Sequence, residues 1–530
     1  MVVTEQHLAT QVGLAILQQG GNAVDAAVAI GYALAVVDPC CGNLGGGGFM
    51  LIHTAHGKNV FLNFREKAPL AATASLFQDP NGRVIPGLST ESYLAVAVPG
   101  TVAGLETART RYGTLPRAAL IDPAVRLASN GFILTRGDVA ILRKHFNAFK
   151  DQANVATIFL NHGLNYQAGD KLIQTQLAHT LTRIEKYGIH GFYQGPVATT
   201  IISASLQQGG ILTQADFDHY SVNEQQPITC HYHGYTIFSA PPPSSGGVTV
   251  CEILGIISAY PIALLGPDSA QGIHYRVEAM RYAFMDRNSA LGDPDYVHNP
   301  IAKLLSRQHA AQIRAQISAD RATPSLPQPN PNPEGVHTTH YSVVDRYGNA
   351  VAVTYTINGL FGNHRIAGQT GFFLNNEMDD FAAKPGAANS FGLVQGSANA
   401  IAPGKRPLSS MSPTIVLKNH KLFMVTGSPG GPRIITTVLA SLINVIDYHM
   451  NLQDAVDAPR IHHQWLPDIL YAEPDALNPA TQLRLEQMGY TISRQDSRWG
   501  AAEAILIDPR TGKLYGANDI RRPAGLAAGY

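Results

Sequence analysis

The sequence predicts an α+β protein in which stacked β-sheets lie between layers of helix. Three observations carry this. Alternating strand patterns fall into two hairpin-like sets, one near the start of the chain and one after residue 338. Helix-period segments precede and follow them. The 530 residues are 45% hydrophobic and only 14% charged, which suits a large buried interior.

Taken in order, "TQVGLAILQQGGNAVDAAVAIGYALAV" gives two helices broken at Gly20-Gly21. Its uncharged stretch Ala26 to Val37 is too short to span a bilayer and reads as a buried helix. "GFMLIHT" and "NVFLNFRE" alternate around an "AHGKN" turn, a hairpin. Residues 90 to 235 read as mostly helical. "GYTIFSAPPPSSGGVTVCEILGIIS" reads as strand, Pro-rich turn and helix, with Ser244 or Ser245 near the cap. Residues 323 to 337 are a linker, because Pro324, Pro327, Pro329, Pro331 and Pro333 exclude helix and sheet. Strands "THYSVV", "AVAVTYTI", "SPTIVLKN" and "LFMVTG" follow, then the helix "RIITTVLASLINVIDYH".

The net charge of +0 and the lack of a basic stripe exclude a nucleic-acid partner. No signal-type segment is visible at the start. A cytoplasmic protein and a periplasmic or extracellular one with its targeting peptide trimmed both stay open. Cys40, Cys41, Cys230 and Cys251 are expected as small buried residues rather than a disulfide framework, since adjacent Cys40 and Cys41 would bond only with strain. "HYH" (His231 to His233) puts two imidazoles on one strand face, but no third ligand is near, so no metal is expected there. "HHQW" is read in the same way, and no cofactor is expected.

The chemistry centres on Thr338, where the Pro-rich segment stops and a strand begins. A threonine hydroxyl is a weak nucleophile, and one remedy is an N-terminal position whose own α-amine acts as base. That amine has an unperturbed pKa of roughly 7.7–8.0. Thr338 would gain it only by cleavage between His337 and Thr338. Read alone, Thr338-Thr339 is an ordinary strand start. "TGSPGGPR" joins a strand to a helix through Gly430-Gly431, whose N–H groups could form an oxyanion hole. "KRPLSSMSPTIV" places Ser409-Ser410 before a strand, and "NNEMDDF" puts Glu377, Asp379 and Asp380 in a turn. "GNLGGGGFM" matches no nucleotide-binding pattern and suits close backbone packing.

"GGNAVDAAVA", "GNLGGGGFM", "NFREKAP", "PPPSSGG", "LGDPDY", "TTHYSVVD", "NAVAVTYTIN", "NNEMDDF", "RPLSSMSPTIV" and "TGSPGG" occur in this order along nearly the whole chain. Together they resemble the γ-glutamyltranspeptidase family. The resemblance implies an N-terminal-nucleophile αββα sandwich, made as a proenzyme. It implies self-cleavage before Thr338 into a large subunit 1–337 and a small subunit 338–530, intertwined as one heterodimeric domain. It implies an autoprocessed γ-glutamyltransferase and hydrolase, with glutathione as donor and an amino acid or peptide as acceptor. Thr338 would be the nucleophile, Thr356 its hydrogen-bonding assistant, and Gly430 with Gly431 the oxyanion donors. Arg65, Ser409 and Ser410 would hold the α-carboxylate; Asn358, Glu377 and Asp380 would hold the α-ammonium. Glu377 stands where some bacterial members have Gln. Phe391 stands where many have a lid tyrosine; its ring can cover the pocket but cannot hydrogen-bond Asn358. Two other readings remain: a related acylase for β-lactam side chains or poly-γ-glutamate, and an unprocessed binding protein.

Overall fold

Period-two burial on both faces of the same strands builds this protein from the centre outward. The computed structural model describes residues 1–325 and 338–530. In the strand Gly47–His53, Met50 and Ile52 pack against outer helices, with Ala27, Ile30 and Leu34 in the same cluster. Phe49 and Leu51 point the other way, into a core shared with Ile415, Met424 and Val425 of a second sheet. Burial of each such side chain contributes about 1.5–3 kcal/mol, so the pleat commits both faces and fixes the register.

The first sheet has seven antiparallel strands, in the order Leu526–Ala528, Val2–Thr4, Thr339–Val344, Ala350–Thr356, Gly47–His53, Asn59–Phe64, Asn223–Gln225. The second has six, in the order Leu514–Ala517, Ala504–Ile507, Lys421–Thr426, Thr414–Lys418, Tyr235–Ser239, Ile228–Tyr232. Helices cover the outer faces. His7–Gln18 and Ala23–Val37 lie on the seven-stranded side, and Gly246–Ile257, Ala270–Ala290 and Arg433–Ile446 on the other. This is the αββα sandwich of the N-terminal-nucleophile hydrolases. The strands that follow Thr338 sit mid-sheet, flanked on both sides by strands from the first part of the chain.

The break between the first two helices has a local cause. Gly20 takes φ 92°, a left-handed conformation that ends a helix. Asn22 then caps the next one, accepting from the N–H groups of Val24 and Asp25, while Asp25 accepts from Asn22 N–H. Ser245 occupies the cap position before Gly246–Ile257, but the hydroxyl that accepts from Gly246 N–H is Ser244's.

Several sequence expectations need correction. Residues 90 to 235 are mostly helical as expected, but the segment ends in the strand Ile228–Tyr232, whose hairpin partner is Tyr235–Ser239. The chain turns after Tyr232, so His231 and His233 do not share a strand face. His233 has φ 46° and faces Asp447 at 3.5 Å, whereas His231 meets Thr236 Oγ1 at 3.2 Å. Cys40, Cys41 and Cys251 are buried and Cys230 is partly buried, but none is a thiol: Cys230–Cys251 and Cys40–Cys41 are disulfides. The Pro-rich turn folds Gly246–Ile257 back over Ile228–Tyr232, which brings the Cys230 and Cys251 Cα atoms to 5.9 Å. Among the described residues, no helix is long and apolar enough to cross a membrane. Pro327, Pro329, Pro331, Pro333 and His337 lie outside the described residues.

Candidate active site

Thr338 stands at the head of the strand Thr339–Val344 and is 4% exposed. The antiparallel register sets Thr339 opposite Tyr355, so Thr356 ends the neighbouring strand beside Thr338. The Thr338 hydroxyl donates to Thr356 Oγ1 at 3.3 Å. Thr356 Oγ1 also accepts from Asn358 N–H at 2.8 Å, a contact made possible by the left-handed φ of 70° at Asn358. Asn358 Nδ2 donates to Asn376 O at 3.0 Å. "GNLGGGGFM" packs against the same strand end: a Cβ on Gly46 would lie 1.9 Å from Thr356 O. These glycines serve close backbone approach, as their sequence suggests.

Gly430 and Gly431 form the turn between Lys421–Thr426 and the helix Arg433–Ile446, with φ 142° and 51°. Their carbonyls accept from Arg433 N–H and Ile434 N–H, which locks the turn. Among the described residues, no hydrogen bond uses the N–H of either glycine. Gly431 shares a pocket wall with Thr338. The N-terminal end of the helix carries partial positive charge, so this turn suits a developing oxyanion.

Arg65 follows the strand Asn59–Phe64 and is fully buried. Its Nε donates to Pro407 O at 3.2 Å; its other nitrogens pair with Glu377 and Asp380, and Glu66 lies 3.5 Å away. The family resemblance implies Arg65 at one end of a zwitterion and the acids at the other. In the structure these groups neutralise one another, because a buried guanidinium needs compensation. Burial raises Glu66 to about 7 and Glu377 well above the usual carboxylate range, against the pull of Arg65.

Ser409 and Ser410 lie opposite, and Phe391 with Leu393 closes the apolar side. One pocket thus brings together Thr338, Thr356, Asn358, Arg65, Glu377, Asp380, Phe391, Ser409, Ser410 and Gly431. Gly430 adjoins it through Gly431. His337 lies outside the described residues. Asp379 turns away and instead supports the Phe391 loop, accepting from Ser89 Oγ at 2.6 Å and Ser390 N–H at 3.1 Å. Sequence reasoning missed Glu66, whose signal was its place in "NFREKAP". It also missed Arg287, which had no local signal: Arg287 Nη2 donates to Ser410 Oγ at 3.0 Å from the helix Ala270–Ala290.

A family model described as gamma-glutamyltranspeptidase matches residues 9–529. The chain is 54% identical to the glutathione hydrolase proenzyme of Pseudomonas sp. (strain A14), covering 100% of this chain and 94% of that protein. Its fold is similar to that of a cephalosporin acylase from Bacillus halodurans, with a TM-score of 0.88 and 27% identity over 100% of this chain and 95% of that one. Helicobacter pylori gamma-glutamyltranspeptidase aligns with a TM-score of 0.59 and 45% identity, covering 60% of this chain and 91% of that chain.

Proposed function

This chain belongs to the γ-glutamyltranspeptidase family, and we propose that it cuts itself before Thr338 and then hydrolyses γ-glutamyl amides such as glutathione, or transfers the glutamyl group to an amino acid or peptide. The observation that carries the reading is the single pocket in which the Thr338–Thr356 hydroxyl pair meets Arg65, Asp380 and Ser410.

In the uncut chain the Thr338 hydroxyl attacks the His337 carbonyl. The peptide C–N bond breaks, the acyl group shifts to Oγ1 as an ester, and water releases the His337 carboxylate. The freed Thr338 amine then takes the proton as Oγ1 attacks the γ-carbonyl of the substrate. Gly430 and Gly431 N–H groups receive the oxyanion. The leaving amine departs with the proton, and a γ-glutamyl ester remains on Thr338. Water or the amine of an acceptor takes the acyl group and restores the hydroxyl. Asp380 and Glu377 would meet the substrate ammonium, and Arg65 with the two serines its carboxylate.

Two findings support the proposed fragments 1–337 and 338–530 as one folded heterodimer. The strands after Thr338 lie between Val2–Thr4 and Gly47–His53. The Helicobacter pylori chain matches only 60% of this one over 91% of its own length, as one of two fragments would. Identity of 54% to a glutathione hydrolase, against 27% to the cephalosporin acylase, favours a γ-glutamyl substrate. The Cys230–Cys251 disulfide supports a periplasmic or extracellular location.

N-terminal sequencing tests the cut: the smaller fragment should begin Thr-Thr-His-Tyr. Assay with a γ-glutamyl anilide, with and without a dipeptide acceptor, tests the chemistry. Thr338→Ala should remain one chain and lose on the order of 10⁴-fold or more in activity. A Thr338→Ala protein that is still cut and still active would overturn the assignment.

A further inference from the structure

Arg287 is 1% exposed and lies near the C-terminal end of the helix Ala270–Ala290. Its guanidinium makes three side-chain hydrogen bonds, all to neutral groups. Nη2 donates to Ser410 Oγ at 3.0 Å, Nε to Ser245 Oγ at 2.9 Å, and Nη1 to Asn288 Oδ1 at 2.6 Å. Among the described residues, no carboxylate lies within ion-pair distance of it. Arg65, by contrast, is surrounded by Glu377, Asp380 and Glu66. One buried guanidinium thus lines the pocket and is neutralised there, and a second stands behind Ser410 with no carboxylate partner of its own.

The uncompensated one stands directly behind the serines. Ser410 Oγ accepts from Arg287, so its own proton is directed elsewhere. Ser245 relays the second contact, because its Oγ donates to Ser409 O at 2.7 Å and its N–H to the same carbonyl at 2.8 Å. Ser244 Oγ completes the clamp on Met411 O at 2.6 Å. "PPPSSGG" thus fixes the loop that carries Ser409 and Ser410, and Arg287 ties both to one cation. A buried cation without an anion is costly unless one arrives. Burial already pushes Arg287 down to about 10, with Asp380 alone opposing it.

We propose that Arg287 is a positioning and specificity residue for the donor's α-carboxylate: it orients Ser410 as a hydrogen donor toward that carboxylate and supplies the unneutralised positive charge behind it. The proposal rests on the γ-glutamyl reading of the same pocket. It adds Arg287, acting through the serines, to Arg65 as a second positive charge on the carboxylate side of the pocket.

Two anilides separate this role from a structural one. γ-Glutamyl anilide has both head groups; 4-aminobutanoyl anilide keeps the amine and lacks the α-carboxylate. Arg287→Gln should lower kcat/KM for γ-glutamyl anilide roughly 10- to 100-fold, mostly through KM, because one charge-assisted contact is lost. The slow turnover of 4-aminobutanoyl anilide should change less than about threefold, since that substrate has no carboxylate to lose contact with. Arg287→Lys, which keeps the charge and loses the fork, should fall between, and it serves as the variant of record if the Gln protein does not fold. Ser410→Ala combined with either variant should be much less than additive. An equal fall on both anilides, or additivity with Ser410→Ala, overturns the proposal. If wild type itself shows no preference for γ-glutamyl over 4-aminobutanoyl anilide, the γ-glutamyl reading fails instead.

Discussion

Asp380→Asn keeps the shape of the side chain and removes one charge from the pocket. Asp380 is the more open of the acids on Arg65, with its side chain 14% exposed against 1% for Glu377. It is therefore the acid best placed to exchange its partner for an incoming ammonium. After the substitution Arg65 still has Glu377 as its partner, and Glu66 remains 3.5 Å away. Folding should survive, and so should self-cleavage, which uses Thr338 and Thr356 but no ligand. Recognition should not. Truncating one partner of a buried charge pair costs about 2–5 kcal/mol, so kcat/KM for γ-glutamyl anilide should fall roughly 30- to several-thousand-fold at 1.4 kcal/mol per decade.

The assay compares γ-glutamyl anilide with glutaryl anilide, which lacks only the amino group. Wild type should strongly prefer the former, because glutaryl brings no ammonium to the acids while its carboxylate competes with them for Arg65. Asp380→Asn should bring the two rates together, and a denaturing gel should still show two fragments. An equal loss on both substrates would mean that Asp380 acts by holding Arg65 and not by meeting the ammonium. Efficient glutaryl cleavage by wild type would favour the acylase reading.

Acylation should rise with pH through an apparent pKa of roughly 6–8 if the freed Thr338 amine is the base; selective N-acetylation of that amine should abolish turnover and leave the circular dichroism unchanged. Burial holds the His340 imidazole down to about 3, so the unfolded chain binds a proton that the folded one does not. Stability from this group is complete above the unfolded pKa of about 6.5 and is lost toward pH 3 at about 1.4 kcal/mol per unit; urea titrations of His340→Asn between pH 7 and 4.5 (both approximate working limits) should show a flatter acid decline than wild type. Cys230→Ser with Cys251→Ser opens a loop with a sequence separation of 21 and should lower stability by about 3 kcal/mol, read as a drop in Tm. Phe391→Tyr should alter transfer more than hydrolysis, measured with and without a dipeptide acceptor, because the new hydroxyl could compete for Asn358 Nδ2, now bonded to Asn376 O.

What the sequence disclosed follows from how local the causes are. Gly20 and Asn22 end one helix and start the next within a few residues, so that boundary was readable. The hairpin of Gly47–His53 with Asn59–Phe64 was readable because alternation and turn lie side by side. Thr338 stands out in the sequence because its own neighbours change character there. The pairing of Arg65 with Asp380 spans 315 positions, and that of Arg287 with Ser410 spans 123. No spacing rule reaches that far, and the family resemblance named Arg65 and the acids without showing that they neutralise one another. The cysteines failed for the same reason: burial was legible, but the fold-back that joins Cys230 to Cys251 depends on the packing of helix on strand.

The structure also separates the two reactions of the same pocket. Thr338 and Thr356 are set by the pairing of adjacent central strands, whose side chains are buried on both faces of the seven-stranded sheet. Their hydroxyl geometry is therefore part of the most cooperative unit of the fold. Arg65, Glu377, Asp380, Ser409 and Ser410 come from connections outside the two main sheets, each tied down by polar contacts: Arg65 by Pro407 O, the serines by Ser244, Ser245 and Arg287. A change in one of these connections can weaken recognition while leaving the strand register intact. Variants in the connections should thus cut themselves and fail on substrate. Only variants that disturb the strand pair, or the Gly430-Gly431 turn that lines the same pocket, should fail at both.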